Sequence, residues 1–295
     1  MTSKLDALRS ELRAMGRVVI AYSGGVDSAF LLRVAHEELG DACTAMIGIS
    51  PSLLPEELAE ARELAQQIGA TVREVETSEL DDPNYAANPN NRCYFCKSTL
   101  WHTLVPLVES EELGVLCDGT NLDDAHEWRP GARAGSENAI RSPLREVGLS
   151  KAEIRQFSRA LSLPTWDKPA MPCLSSRIPY GQRVTAEALH RIGRAEVYLR
   201  SKGLREVRVR HFLENDKPQA RLEIAPAEIP TIFGFYEEAT TTLRELGFAS
   251  ILLDLEGYRR GRLNEGTTPQ TTNAPQTTNT PIEAPTTWAP IQLVI

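Results

Sequence analysis

Short strand patterns alternate with helical segments through the first half of the chain. The strand patterns lie at 17–22, 43–50, 71–76 and 114–120, and helical patterns fill the intervals between them. Parallel strands need long crossover connections, usually helices, whereas antiparallel strands can be joined by tight turns. The alternation therefore predicts an α/β fold with a parallel sheet covered by helices on both faces.

A second, smaller α/β unit is predicted after a proline-rich run at 164–179. Four prolines in this run exclude a regular helix and indicate an ordered linker or an active-site loop. A helical pattern follows at 185–203, and alternating strand patterns follow at 206–212 and 220–225. This change of pattern indicates a second element of structure with its own small sheet.

These patterns divide the chain into three predicted parts. Residues 1–165 form the first α/β domain, and residues 166–262 form the smaller one. Residues 263–295 are rich in Thr, Pro, Gln and Asn, a composition that buries too little apolar surface to fold. We therefore predict a disordered tail over this range.

Composition narrows the class of protein. Hydrophobic residues make up 41% and charged residues 24% of the chain, which is typical of a globular domain. The sequence has no apolar run of the length that a membrane helix requires and no signal-peptide pattern, so we expect a cytoplasmic protein without a membrane partner. A net charge of −8 argues against a nucleic-acid partner.

The segment AYSGGVDSA (21–29) joins the first strand pattern to its helix. Two glycines allow close approach of the backbone to an anion, and the helix N-terminus supplies free N–H groups. The predicted anion contacts are Ser23, Gly24, Gly25, Asp27 and Ser28. Asp27 requires Mg²⁺ or a positively charged side chain beside it if a phosphate binds here. A glycine turn capped by serine is the simpler interpretation of the residues alone.

SGGVDS after an apolar strand resembles the PP-loop signature of the ATP pyrophosphatase superfamily. The resemblance implies a PP-loop domain of the adenine nucleotide alpha hydrolase-like type, which cleaves ATP between its α and β phosphates. AMP is then transferred to a substrate oxygen and pyrophosphate is released. Further ATP contacts are predicted where the fourth strand pattern ends, at Gly119, Thr120 and Asn121.

The five cysteines fall into two groups. Cys43 and Cys117 lie within strand patterns and are interpreted as small buried side chains. Cys93 and Cys96 form a C-x-x-C pair in NNRCYFCKSTLW, and Cys173 lies in MPCLSSR. Paired thiols in a cytoplasmic protein indicate metal or redox chemistry, so this spacing fits a redox dithiol or a metal site such as zinc. A zinc site would need a fourth ligand, for which His102 and His126 are candidates.

RCYFCK, MPCLSSR and RPGARAGSENAIRSPL (129–144) together resemble the LarE family, over residues 1 to about 262. These enzymes insert sulfur during biosynthesis of the nickel-pincer nucleotide. The resemblance implies a pyridinium mononucleotide substrate with two carboxylates, one of which is adenylated by ATP and then attacked by sulfur to give a thiocarboxylate. It also implies a homohexamer.

Within this family the resemblance implies two sources of sulfur. Cys93, Cys96 and Cys173 match the three-cysteine members, in which the thiolates hold a 4Fe-4S cluster and leave one iron open for an exogenous sulfide. In other members the cysteine equivalent to Cys173 is itself the sulfur donor and is left as dehydroalanine. The competing functions are an amide-forming synthetase, a tRNA thiolation enzyme and a nucleotide-binding sensor with a zinc site.

A substrate pocket is expected around Arg208 and Arg210. They alternate with valines in EVRVRHF, so they share one face of a strand, either facing solvent or clamping a phosphate. The resemblance implies substrate-binding arginines here and around Arg177. The predicted substrate-binding set is completed by Lys97, Arg129, Arg133 and Glu196.

Overall fold

The computed structural model describes residues 3–125, 130–169 and 172–259. All of them belong to one compact unit, Met1–Leu263. Three of the predicted features, Arg129, His126 and the tail at 263–295, lie outside the described residues.

The helices are α1 Lys4–Met15, α2 Val26–Leu39, α3 Pro55–Ile68, α4 Pro83–Ala86, α5 Arg92–Ser110, α6 Pro130–Glu137, α7 Pro143–Glu146, α8 Lys151–Ala160, α9 Ala186–Ser201, α10 Ile229–Ile232 and α11 Tyr236–Glu245. The strands are β1 Val18–Ala21, β2 Cys43–Ile49, β3 Thr71–Glu76, β4 Val115–Cys117, β5 Val207–Glu214, β6 Lys217–Ile224 and β7 Ser250–Leu253. No helix in the described part of the chain is long and apolar enough to cross a membrane.

The first sheet has the strand order β3-β2-β1-β4, and all of its pairs are parallel. Strand β1 lies inside the sheet, and Val18, Val19 and Ile20 are fully buried. Cys43 and Cys117 are also buried in the strands beside it, as their positions in the sequence predicted. The parallel α/β fold is confirmed. Strands β1 and β4 are neighbours, so their carboxyl ends lie side by side at the same end of the sheet.

The second sheet has the strand order β5-β6-β7. Strands β5 and β6 form an antiparallel hairpin, and β7 joins β6 in parallel. Helix α9 packs on β5 and helix α11 contacts β7, around a separate cluster of buried aliphatic side chains. The second α/β element is confirmed, whereas the domain boundary at 165/166 stays a prediction.

Helix α5 begins earlier than its sequence pattern suggests. The pattern predicts a start near 97, but the helix begins at Arg92. The side chain of Arg92 is buried and donates to the side chain of Asn88 and, at 3.1 Å, to the carbonyl of Ser175. This tertiary contact stabilises the first turn and places Cys93 and Cys96 on the helix, one turn apart on the same face.

The segment at 229–247, which the sequence pattern predicts to end in a helix, contains two helices in the structure. It forms the short α10 and then α11, with Gly234 between them. Glycine costs a helix interior roughly 1 kcal/mol relative to alanine, and the exposed Phe233 gains nothing there from burial. The sequence pattern alone did not locate this break.

The buried side chain of His211, on β5, should make the free energy of unfolding depend on pH. Its ring is 3% exposed, and Arg191 places a guanidinium nitrogen 3.2 Å from its Nε2 atom. Burial, together with the charge of Arg191, lowers the pKa of His211 from 6.5 to about 4. Because the unfolded chain takes up this proton at a higher pH, the free energy of unfolding should fall by about 2 kcal/mol between pH 7.5 and pH 5.

Chemical denaturation at these two pH values measures the effect. His211→Gln should remove this part of the pH dependence, whereas His190→Gln, at an exposed position, should retain it. An equal fall in stability in both variants would contradict the assignment to His211.

Candidate active site

The loop between β1 and α2 has the geometry of an anion site. Gly25 caps α2 without a side-chain hydrogen bond, so the first N–H groups of this helix point outward without an internal partner. The backbone N–H of Ser23 donates to Ser28 Oγ at 3.2 Å, and this hydroxyl lies 3.3 Å from the carbonyl of Gly25. The two serines therefore hold the loop in a closed turn around the helix end.

Both glycine-containing loops of this edge depend on close backbone packing. Gly24 has φ +68°, and a Cβ added there would lie 2.8 Å from the Cβ of Ala61 in α3. A Cβ on Gly119, in the loop after β4, would lie 2.9 Å from the backbone nitrogen of Ser28. The loop after β4 therefore packs closely against the first turn of α2.

Asp27 has the positively charged neighbour that its position beside a phosphate loop required. Lys151, the first residue of α8, places its Nζ 2.6 Å from Asp27 Oδ2. The backbone N–H of Lys151 donates to Asp123 Oδ2 at 2.8 Å. The second carboxylate oxygen of Asp27 is buried and has no hydrogen-bond partner among the described residues. An oxygen of this kind is suited to a cation or to a bound water.

The loop after β4 is held by its own side chains. Buried Asp118 accepts from Thr120 Oγ1 at 2.7 Å and from Ser142 Oγ at 2.8 Å. The amide oxygen of Asn121 accepts from the backbone N–H groups of Asp123 and Asp124. In this structure the side chains of Thr120 and Asn121 therefore shape the loop, and their role as ATP contacts stays a prediction.

Substitution of Gly24 should distort the loop. In Gly24→Ala, the positive φ costs about 1 to 2 kcal/mol and the new Cβ collides with Ala61, so both stability and ATP affinity should fall. Gly16→Ala is the matched control, because φ is also positive there, at +72°, but a Cβ would meet no atom within 4 Å. Thermal unfolding and ATP titration measure the two effects. Equal behaviour of the two variants would contradict this account.

A set of buried polar side chains joins the segment after Cys173 to α5. Tyr85 Oη lies 2.6 Å from Ser175 Oγ, and Arg92 donates to the carbonyl of Ser175. The amide of fully buried Asn88 donates to the carbonyls of Ile178, Pro179 and Gln182, at distances from 2.7 to 3.3 Å. The proline-rich segment is thereby fixed against the turn that carries Cys93 and Cys96.

Cys96 lies near the other two thiols of the predicted set. Burial raises the pKa of Cys96 to about 12, and the nearby charges of Cys173, Glu79 and Cys93 act in the same direction. Cys96 and Cys173 are half-buried, and Cys93 is exposed. Among the described residues, however, no group of three or more His, Cys, Asp and Glu side chains is arranged to hold a metal ion. Thiolates are suitable ligands for an iron–sulfur cluster, but in the described structure the three cysteines do not surround a common metal position.

Two described parts of the segment that carries Cys173 contact loops at the carboxyl end of the parallel sheet. Lys168 Nζ lies 3.4 Å from the carbonyl of Gly24 in the loop after β1. Six residues later, the backbone N–H of Leu174 donates to the carbonyl of Ser52, in the loop after β2, at 3.0 Å. Cys173 therefore lies at the same edge as the phosphate loop, where α/β sheets bind ligands.

Arg177 and Glu196 form a fully buried ion pair. The guanidinium donates to both carboxylate oxygens, at 2.8 and 2.9 Å, and neither side chain has any exposed surface. Burial alone would raise the pKa of Glu196, but the charge and hydrogen bonds of Arg177 hold it below its ordinary value. Arg177 also donates to the carbonyls of Pro172 and Cys173 and so fixes the backbone beside the thiol.

Arg208 and Arg210 share a face of β5, but this face is not exposed to solvent. They are 7% and 9% exposed, so the alternative of a solvent-facing pair is wrong. Arg210 is paired with Glu223 at 2.7 Å and donates to the carbonyl of Ser176. Arg208 lies over the ring of Tyr258 and forms no ion pair within the described residues.

Desolvation and the charge of Arg177 lower the pKa of Arg208. A buried cation without a carboxylate of its own is costly, and an anionic ligand would relieve that cost. Of Arg208 and Arg210, Arg208 is therefore better suited to bind an anionic ligand.

Removal of Glu196 should be strongly destabilising. Glu196→Ala leaves Arg177 buried without its counter-charge, and the loss of one partner from such a pair costs about 3 to 5 kcal/mol. Glu238→Ala is the control, because Glu238 pairs with Lys202 at the surface and such pairs contribute at most about 1 kcal/mol. Urea denaturation compares the two variants. A loss below about 1 kcal/mol for Glu196→Ala would contradict the structural role of the pair.

Two other predicted substrate contacts lie around the first turns of α5. Lys97 places its ammonium 4.9 Å from the ring centre of Trp101, and Gly131 of α6 lies against its side chain. Arg133 is 76% exposed and pairs with Glu137, over the ring of Tyr94. Lys97 therefore lies on the helix of the thiols, whereas Arg133 lies at the surface of α6.

Sequence reasoning missed several side chains that shape this site. Lys151 and Lys168 reach the phosphate loop, and Asn88 and Arg92 fix the thiol segment. Their sequence surroundings carry no distinctive spacing. The one signal was the unbalanced charge of Asp27, which required a cation without saying which residue supplies it.

Proteins of similar sequence align with this chain over nearly all of the residues described above. No protein-family model matches the chain. An uncharacterised protein of Synechocystis is 48% identical over 266 residues, which cover 90% of this chain and 98% of that protein. A protein of Lactiplantibacillus plantarum named pyridinium-3,5-bisthiocarboxylic acid mononucleotide synthase is 34% identical, over 90% of this chain and 95% of its own length. The chain belongs to the LarE family.

The named relative in the LarE family is a synthase, so this chain is an enzyme. A more distant similarity, to the glutamine-hydrolysing GMP synthase of Chlamydia muridarum, is 22% over 183 residues and covers 34% of that protein. It agrees with the PP-loop fold predicted from SGGVDS and with the parallel sheet that the structure shows.

Proposed function

We propose that this chain is an ATP-dependent sulfur transferase that converts a carboxylate of a pyridinium-3,5-biscarboxylic acid mononucleotide into a thiocarboxylate, in nickel-pincer nucleotide biosynthesis. The observation that carries the proposal is a pair of contacts made by described residues of the proline-rich segment. Lys168 lies beside the phosphate loop, and Leu174, next to Cys173, donates to the loop after β2 at the same end of the sheet. An activated acyl group and a sulfur atom would meet there. The name of the Lactiplantibacillus plantarum relative supports the substrate class.

The first step is activation of the carboxylate. A carboxylate oxygen of the substrate attacks the α-phosphorus of ATP, the bond to the β-phosphate breaks, and pyrophosphate leaves. The free N–H groups at the start of α2 and the hydroxyls of Ser23 and Ser28 are suited to bind the phosphates. The unpartnered oxygen of Asp27 supports Mg²⁺ as the ion that accompanies ATP.

The second step is sulfur transfer. A thiolate or sulfide attacks the acyl carbon, the carbon–oxygen bond to AMP breaks, and AMP leaves with the electron pair. Arg177 donates to the carbonyl groups of Pro172 and Cys173, so a buried ion pair fixes the backbone that carries this sulfur. A fixed nucleophile loses less entropy at the transition state, which accelerates the step.

The side chains of Cys93, Cys96 and Cys173 would hold the 4Fe-4S cluster that the three-cysteine pattern implies. Cys93 and Cys96 lie one turn apart on α5, and Cys173 lies near enough for its charge to act on Cys96, although the described residues are not arranged as a metal site. When bound, such a cluster would present an external sulfide at its open iron and spare the sulfur of the protein. The alternative is that Cys173 itself donates its sulfur.

Arg208 is the strongest candidate to bind the phosphate of the nucleotide substrate. It is a buried cation with no carboxylate partner in the described part of the chain, and it lies on the strand beside Arg210. Guanidinium groups bind phosphates with two parallel hydrogen bonds. Assembly as a homohexamer, a small-molecule sulfide source and a cytoplasmic location remain predictions, as do the substrate roles of Lys97, Arg133, Arg177 and Glu196.

The function is tested with purified protein, ATP and the dicarboxylate mononucleotide under anaerobic conditions. The full chain should form AMP and pyrophosphate and a thiocarboxylate product, which mass spectrometry detects. Cys173→Ala should abolish the thiocarboxylate under either source of sulfur. Cys43→Ala, at a buried position in β2, is the control and should retain activity.

Two further measurements distinguish a cluster-bound sulfide from Cys173 as the source of sulfur. A cluster gives visible absorbance and bound iron that Cys93→Ala loses, with many turnovers when sulfide is supplied. Donation by Cys173 gives a single turnover and the loss of one H₂S from that residue. Absence of AMP formation with the dicarboxylate, in protein that is folded and loaded, would refute the proposed function.

A further inference from the structure

Two hydroxyl groups form a buried pair beside the segment that carries Cys173. Tyr85 Oη lies 2.6 Å from Ser175 Oγ, and the two residues are 1% and 0% exposed. Each hydroxyl carries one proton, and the single hydrogen bond between them uses only one of the two. Neither hydroxyl has another hydrogen-bond partner among the described residues. One proton of the pair is therefore left to donate to a further acceptor.

The pair lies between the two parts of the chain that carry the thiols. Ser175 follows Cys173 by two residues, and Tyr85 belongs to α4, which packs against α5. Cys96 of α5 packs on the same buried cluster as Tyr85 and Leu174. Burial raises the pKa of Tyr85, and the charges of Cys173 and Cys96 act in the same direction. The phenol therefore stays protonated at neutral pH, close to the thiols.

The carboxylate of Glu79 also acts on Tyr85 through its charge, but its oxygens have other donors. Buried Glu79 accepts from Ser52 Oγ at 2.9 Å and from Thr77 Oγ1 at 3.0 Å. Within the described ranges it forms no hydrogen bond with Tyr85. Glu79 thus leaves the remaining proton of the pair unused, and an anion that binds here needs a cation close by.

Arg92 supplies this cation. Its side chain is buried, Nη1 donates to the carbonyl of Ser175 at 3.1 Å, and the guanidinium forms no ion pair with a described carboxylate. Burial raises the pKa of the Tyr180 phenol. The charges of Arg92, Cys93 and Cys173 also act on this phenol, so the cation lies in the neighbourhood of both thiols. A buried cation without a counter-charge is costly, and an anionic ligand would relieve that cost.

The surroundings favour a small and weakly hydrated anion. Phe95, Cys96 and Leu174 contribute apolar or weakly polar surface to the cluster around Tyr85. A phosphate or a carboxylate would bring several oxygens to few donors, and unpaired oxygens are costly to bury. Hydrosulfide, HS⁻, has a single polarisable acceptor atom, which one guanidinium and one hydroxyl proton can satisfy.

We propose that Arg92 and the Tyr85–Ser175 pair bind hydrosulfide beside Cys96 and Cys173, and that this anion supplies the sulfur of the product. Its sulfur forms a bond to the acyl carbon of the adenylate, the carbon–oxygen bond to AMP breaks, and AMP leaves with the electron pair. The thiocarboxylic acid then releases its proton to water, and the step needs no oxidant or reductant. This inference rests on the proposed function and selects exogenous sulfide over the sulfur of Cys173.

The first test measures binding without ATP or the mononucleotide, by anaerobic calorimetric titration of the full chain with sodium sulfide. Tyr85→Phe keeps the ring and removes the hydroxyl, so it should weaken binding about tenfold, as expected for a hydrogen bond to a charged group. Tyr198→Phe is the matched control, because it removes a buried hydroxyl on α9, and it should bind as the unmodified chain does. Equal affinities of Tyr85→Phe and the unmodified chain would overturn the inference.

Further variants test whether the three groups act together. Arg92→Lys retains the charge and should bind hydrosulfide more tightly than Arg92→Met. Tyr85→Phe and Ser175→Ala combined should weaken binding by far less than the product of their separate effects, because the pair has one proton to donate. Fully independent effects would contradict a shared proton. Thermal unfolding and iron content are measured for every variant, so that a loss of folding or loading is recognised.

Turnover separates this inference from the proposed function. With ATP and the dicarboxylate mononucleotide, Tyr85→Phe should raise the KM for sulfide about tenfold and leave the KM for ATP unchanged. If the unmodified chain forms no AMP, the proposed function fails, whereas the binding of hydrosulfide is still measured by calorimetry. If the unmodified chain forms thiocarboxylate without added sulfide and Cys173 loses H₂S, the function stands and the hydrosulfide site is overturned.

Discussion

The buried ion pair of Arg177 and Glu196 is the contact on which the candidate site depends. Two opposite charges without any exposed surface are stable only when every donor and acceptor is satisfied. Glu196 meets this condition by also accepting from Arg200 and from the backbone N–H of Val209, and Arg177 by donating to the carbonyl groups around Cys173. One pair thus fixes α9, β5 and the thiol segment relative to one another.

Around this pair, groups from distant parts of the sequence converge. The phosphate loop follows β1, and the paired thiols lie at the start of α5. Arg208 and Arg210 belong to β5 of the second sheet. The proline-rich segment joins them because its described residues contact the loops after β1 and β2. In the proposed reaction, activation of a carboxylate and delivery of sulfur must occur at one place, since an acyl adenylate exposed to water would be lost to hydrolysis.

Several site features followed from particular residues in the sequence, and others did not. SGGVDS indicated the phosphate loop through its resemblance to the PP-loop signature, whereas its glycines and serines alone also fit a capped turn. The exposure of Arg208 and Arg210 was not decided by their alternation with valine, since an inward polar face and a solvent face give the same pattern. The start of α5 was misplaced because a tertiary contact of Arg92 stabilises its first turn.

The sequence by itself determined the order of strands and helices, the parallel sheet, the phosphate loop and the three cysteines with their likeness to the LarE family. These features are local, because hydrophobic periodicity and short motifs are properties of neighbouring residues. Only the tertiary structure decided that Lys151 pairs with Asp27, that Lys168 reaches the phosphate loop, and that Arg177 is buried against Glu196. These contacts join residues far apart in the chain, where spacing carries no information and burial in the folded core selects the partners.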